Sequence, residues 1–89
     1  MNIKLIKEKL EIVKWFKKKY KPSYMFWEFL LIHESFTASE LLNQMRWDLK
    51  ENKKVIRYLL ADRLIKKTPA GYVKFSYFAN FLTYVIAED

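Results

Sequence analysis

The sequence predicts a mainly α-helical domain that carries one small β-hairpin. Three observations predict it. Apolar residues recur three and four apart along most of the chain, which is the spacing that gathers side chains on one face of a helix. Between two such segments stands "TASE", Thr37 to Glu40, a capping box that starts a helix. After Asp62 the period changes, and two short runs rich in β-forming residues flank "PAG". With 89 residues, 52% of them apolar, and one Gly and two Pro, the chain has material for one dense core, so residues 1–89 are expected to form a single domain.

The elements follow in order. Ile3, Ile6, Leu10, Val13, Phe16 and Tyr20 share one face, with Lys and Glu on the remaining arc, so residues 1–20 read as an amphipathic N-terminal helix. Pro22 in "KPS" disfavours helical geometry at Lys21 and suits the opening of a second helix. That helix, "YMFWEFLLIHES", is apolar nearly all round and is expected to be central to the fold. The third is short and turns Leu41, Leu42 and Met45 inward. "RWD" breaks the pattern before a fourth helix, in which Leu49, Ile56, Leu59 and Leu60 line the core side and Lys50, Lys53, Lys54 and Arg57 share the outer face. "RLIKKT" and "YVKFS" are expected to pair as a two-stranded hairpin, because Pro69 presets a turn and Gly71 relaxes the backbone. "YFANFLTYVIAED" repeats Phe78, Phe81, Leu82 and Val85 at helical spacing, a final helix over residues 77–88.

Charge is segregated along the chain. Residues 1–21 are dense in lysine, residues 22–45 carry only Glu28, Glu34 and Glu40, and residues 46–74 are again basic, within a net charge of +7. A surface for a polyanion needs cations presented together, whereas a uniformly solvated surface would mix the signs.

The run "FTASELLNQMRWDLKENKKVIRYLLADRLIKKTPAGYVKF" resembles the winged helix-turn-helix family: a capped helix, a turn, a recognition helix, a Leu-Ile pair and a wing returning through an aromatic residue. The resemblance covers residues 24–76 and departs from the pattern at Asn52, where the family usually has an apolar residue, and at Arg63, where a Gly is common. The flanking helices resemble those of small dimeric regulators of the multiple-antibiotic-resistance and padR-like types, and of compact regulators of archaeal viruses and plasmids. The resemblance implies a winged helix-turn-helix with extra terminal helices, acting as a sequence-specific transcription regulator on double-stranded DNA. In that docking mode Arg57 and Lys53 reach base edges, Lys50 and Lys54 reach bases or phosphates, Lys66, Lys67 and Lys74 meet phosphates or the minor groove, and Arg46 meets phosphate. The alternative is a winged-helix module for protein or RNA within a transcription, replication or virion assembly.

Other residues point elsewhere less strongly. Trp47 reads as a core plug, and Lys17, Lys18 and Lys19 suit the negative end of a helix without any ligand. His33 is the chain's one histidine and there is no cysteine, so no metal or cofactor site is expected. The carboxylates do not pair at a catalytic spacing, Ser35 and Ser39 lack a base, and no glycine-rich phosphate loop occurs; an enzyme is not expected, nor is a small-molecule ligand identifiable. No apolar run approaches the about 20 residues that span a bilayer, which leaves a cytoplasmic protein, or one in a host cytoplasm if viral, as the expectation. Finally, Ile3, Ile6, Leu10, Val13, Phe78, Phe81, Leu82 and Val85 offer more apolar surface than one small core needs. They are expected to form a homodimer interface, the competing outcome being that the two terminal helices cover one another within a chain.

Overall fold

The computed structural model describes residues 3–88, and the side-chain surroundings of residues 10–83. The N-terminal repeat winds into α1 (Ile3–Tyr20), which ends where Lys21 enters the left-handed region at φ 45° and Pro22 follows. Ser23 caps α2 (Tyr24–Ile32) by accepting from the Phe26 amide at 3.2 Å. After α2 come β1 (Ser35–Phe36), α3 (Ala38–Met45), α4 (Leu49–Ala61), β2 (Ile65–Thr68), β3 (Gly71–Lys74) and α5 (Ser76–Glu88). The domain is therefore mainly helical, with a small antiparallel sheet of order β1-β3-β2.

The sheet has one strand more than the sequence suggested. The segment "HES", read as the end of the second helix, leaves it instead: His33 caps α2 in extended geometry, and Ser35 and Phe36 pair with Val73 and Tyr72. The β2–β3 hairpin closes through Pro69 and Ala70, with Thr68 opposite Gly71 and Ile65 opposite Lys74. Gly71 cannot be replaced there. It sits at φ 143°, and a Cβ on it would lie 2.6 Å from the Phe36 carbonyl oxygen of β1.

The core fills from both ends of the chain. Phe16 of α1 lies 4.9 Å from Trp27 of α2, and 5.8 and 5.5 Å from Phe78 and Phe81 of α5, centroid to centroid. A fully buried aromatic or aliphatic side chain of this size contributes about 1.5–3 kcal/mol. Leu30, Leu41, Leu59 and Ile65 bring α2, α3, α4 and β2 onto the same centre.

This packing corrects the expected dimer surface. Val13, Phe78 and Leu82 are fully buried and Phe81 is 5% exposed, all within one chain, and Leu10 is half-buried. The terminal helices cover one another, so a contact between copies through Val13, Phe78, Phe81 or Leu82 would require opening the core. Ile3, Ile6 and Val85 lie outside the residues whose side chains are described. Leu49, expected on the core side, moves outward: it is 57% exposed, because α4 turns Val55, Ile56 and Leu59 inward instead. In α2, expected to be buried nearly all round, Met25 is 49% exposed while Phe26, Phe29 and Leu30 face inward. The second helix is thus buried on one face only, with Tyr24, Met25, Leu31 and Ile32 on the other. Among the described residues no helix is long and apolar enough to cross a membrane.

Candidate nucleic-acid interface

The basic helix α4 is held at its start by three local devices. Thr37 and Glu40 form both bonds of the capping box at 3.1 Å, which fixes α3. Arg46 ends α3 in left-handed geometry, φ 57°, with its amide donating to the Leu42 carbonyl at 2.9 Å. Asp48 then caps α4 by accepting from the Glu51 amide at 2.7 Å.

A polar cluster locks the turn between them. Asn52 is 2% exposed; its Oδ1 accepts from Trp47 Nε1 at 2.6 Å, and its Nδ2 donates to the Ala38 carbonyl at 3.0 Å. A buried amide is tolerated because both ends are satisfied. The position where the sequence departs from the resembled pattern thus ties the start of α3, the turn and α4 together. Trp47 packs half-buried against the core, 5.7 Å from Phe26, in the plugging role read from the sequence.

The other end of α4 is clipped to α1. Lys19 Nζ reaches both Asp62 oxygens at 2.7 and 2.8 Å, and the Tyr20 hydroxyl donates to Asp62 Oδ2. Burial, and then the hydrogen bond to Asp62, push the Tyr20 hydroxyl far above its ordinary pKa. Nothing in the helical spacing announced this clip, since its partners stand 42 and 43 residues apart.

Between these anchors Lys50, Lys53, Lys54 and Arg57 all stand exposed on the outer face. Glu51 approaches Lys54 only to 3.8 Å, an exposed pair worth little in water. Tyr58 lies beside two of the cations, with Lys54 Nζ at 5.9 Å and the Arg57 guanidinium at 6.0 Å from its ring. On the hairpin, Lys66 and Lys67 are exposed on β2, which has a neighbour on one side only. Lys66 sits 5.9 Å from the Phe75 ring. Arg46 is exposed at the turn.

Lys74 does not join them. Its side chain is 9% exposed, and Nζ donates to the Leu30 carbonyl, with the Leu31 carbonyl at 3.5 Å. The last turn of α2 contains no basic residue, and Lys74 reaches across from β3 to satisfy carbonyls that a helix end leaves without partners. Burial lowers its pKa. Strand alternation explains the correction, because Lys74 pairs with the buried Ile65 and so faces inward.

His33 packs against the Phe29 ring at 4.3 Å, and Lys19 is engaged by Asp62, so neither adds to the basic face. Among the described residues there is no group of three or more His, Cys, Asp or Glu that could hold a metal.

Fold and site together define a small basic helical domain that presents a cationic helix with a cationic strand edge. No family model matches the chain, and no curated protein or solved structure matches it.

Proposed function

We propose that this chain is a winged helix-turn-helix domain that binds double-stranded DNA in a sequence-specific manner and regulates transcription, with α4 as recognition helix and the β2–β3 hairpin as wing. One observation carries the reading: Lys50, Lys53, Lys54 and Arg57 share the exposed face of a helix fixed at both ends, where Glu51 approaches Lys54 at 3.8 Å and the Tyr58 ring lies beside Lys54 and Arg57 without burying either. Such a rigid row of cations suits the phosphates and base edges of a major groove. Arg57 would pair with a guanine edge, Lys53 with a neighbouring base, Lys50 and Lys54 with bases or phosphates, Arg46 with a phosphate, and Lys66 and Lys67 with adjacent phosphates or the minor groove.

The test is duplex binding measured against salt, followed by selection from a random duplex library. Each neutralised phosphate adds about 0.9 to the slope of log K against log salt. Lys67→Ala is expected to lower that slope by about one and to weaken all duplexes alike, whereas Arg57→Ala is expected to cost about 1–3 kcal/mol on the selected site alone. Absence of duplex binding at low salt would defeat the reading, and equal losses on selected and random duplexes would remove Arg57 from base readout.

A further inference from the structure

Leu49 is the anomaly of the basic face. It occupies the first position of α4, where 57% of its surface remains in water. Its neighbours along the helix row, four and eight residues on, are Lys53 and Arg57, and Lys50 adjoins it; all three are exposed. Leu49 is not left out for want of order. The Asp48 cap and the Trp47–Asn52–Ala38 hydrogen bonds fix the backbone on both sides of it. An apolar side chain carried on this fixed backbone among cations has little to gain from water or from its neighbours. In the major groove, by contrast, one base edge offers it an apolar surface: the C5-methyl group of thymine.

Resting on the DNA-binding reading above, the geometry points to Leu49 as a specificity-determining residue that contacts a thymine methyl at the end of the recognition row, next to the base read by Lys53. The cations draw α4 to the phosphates of any duplex. Leu49 then distinguishes thymine from cytosine, which lacks the methyl and presents an amino group whose water a leucine would displace without replacing its hydrogen bond.

The experiment uses the duplex recovered from the random library, resynthesised with deoxyuridine in place of each thymidine in turn, which removes one methyl and keeps every hydrogen-bonding group. Full-length protein is expected to lose about fourfold in affinity at one thymine of each bound site, the factor that corresponds to one buried methyl group. Leu49→Ala, an exposed substitution checked for unchanged thermal unfolding, is expected to bind the thymidine and uridine forms of that duplex alike. Equal affinity of the wild-type protein for every uridine-substituted duplex would overturn the role of Leu49 while leaving DNA binding intact. Sensitivity to uridine that persists in Leu49→Ala would assign the methyl contact to another residue. If no duplex is bound at low salt, the regulator reading falls and this inference with it.

Discussion

Asn52→Ala tests how the basic helix is held in place. The side chain makes two hydrogen bonds, from Trp47 Nε1 at 2.6 Å and to the Ala38 carbonyl at 3.0 Å, and is 2% exposed. Losing each bond costs about 1 kcal/mol net, and the hole left by the missing amide about 1 kcal/mol more. The sum, about 3 kcal/mol, is a large part of a small domain's stability. For a chain of this size each kcal/mol moves the melting midpoint by about 4–8 °C, so a fall of about 12–24 °C is expected by calorimetry or circular dichroism. Trp47→Phe removes only one of the two bonds and should cost about 1 kcal/mol. The double variant carries the sharper test: because the Trp47–Asn52 bond is lost only once, its cost should stay near that of Asn52→Ala, leaving about 1 kcal/mol of coupling. Strictly additive costs, or an Asn52→Ala variant within 0.5 kcal/mol of wild type, would show that the cluster does not tie the turn to α4.

Three further outcomes are expected. Lys74→Met should lower thermal stability by about 1–2 kcal/mol, since the last carbonyls of α2 lose their donor, yet leave the salt slope of duplex binding unchanged; a reduced slope would return Lys74 to the DNA surface. Because burial and Asp62 raise the Tyr20 pKa above its ordinary 10.0, its contribution to stability is complete below about pH 10 and is lost as pH rises further, while Lys74, lowered from 10.5, contributes with the opposite sign as pH approaches that value from below. Urea midpoints taken from pH 9 to 11 should therefore fall less steeply in Tyr20→Phe than in wild type, and identical slopes would refute the assignment. Phe81→Glu should abolish cooperative unfolding, because it places an unpaired charge at a site 5% exposed, at a cost of about 4 kcal/mol or more; a folded variant with only a lower sedimentation mass would instead locate Phe81 between copies.

Elements with a strong local signal were legible in the sequence. The capping box of Thr37 and Glu40, the outer row of α4 and the turn at Pro69 each follow from residues a few positions apart, and all three stand where their spacing put them. What failed to show was whatever depends on distant partners. Strand β1 is two residues long and exists only because β3 pairs with it. The faces of the terminal helices are apolar whether a second copy or the same chain covers them, so spacing could not choose between Phe81 as contact and Phe81 as core. Lys74 looks like its neighbours Lys66 and Lys67 until the strand register gives it an inward face. Asn52 did carry a signal, a polar residue at a core position of the helix period, but only the fold shows that Trp47 and Ala38 are its partners.

The left-handed backbone at helix ends has a consequence for how far this chain stands from its own stability optimum. Lys21, Arg46 and Arg63 take φ values of 45°, 57° and 58°, a conformation that glycine adopts freely and that costs other residues about 1 kcal/mol. The sequence keeps its single glycine for Gly71, where a Cβ cannot fit, and places a cation at each of the other three points. Glycine at those points would relax the backbone and discard three of the seven surplus positive charges. The chain therefore holds stability in reserve that substitution could release, and the release would come out of its electrostatic field.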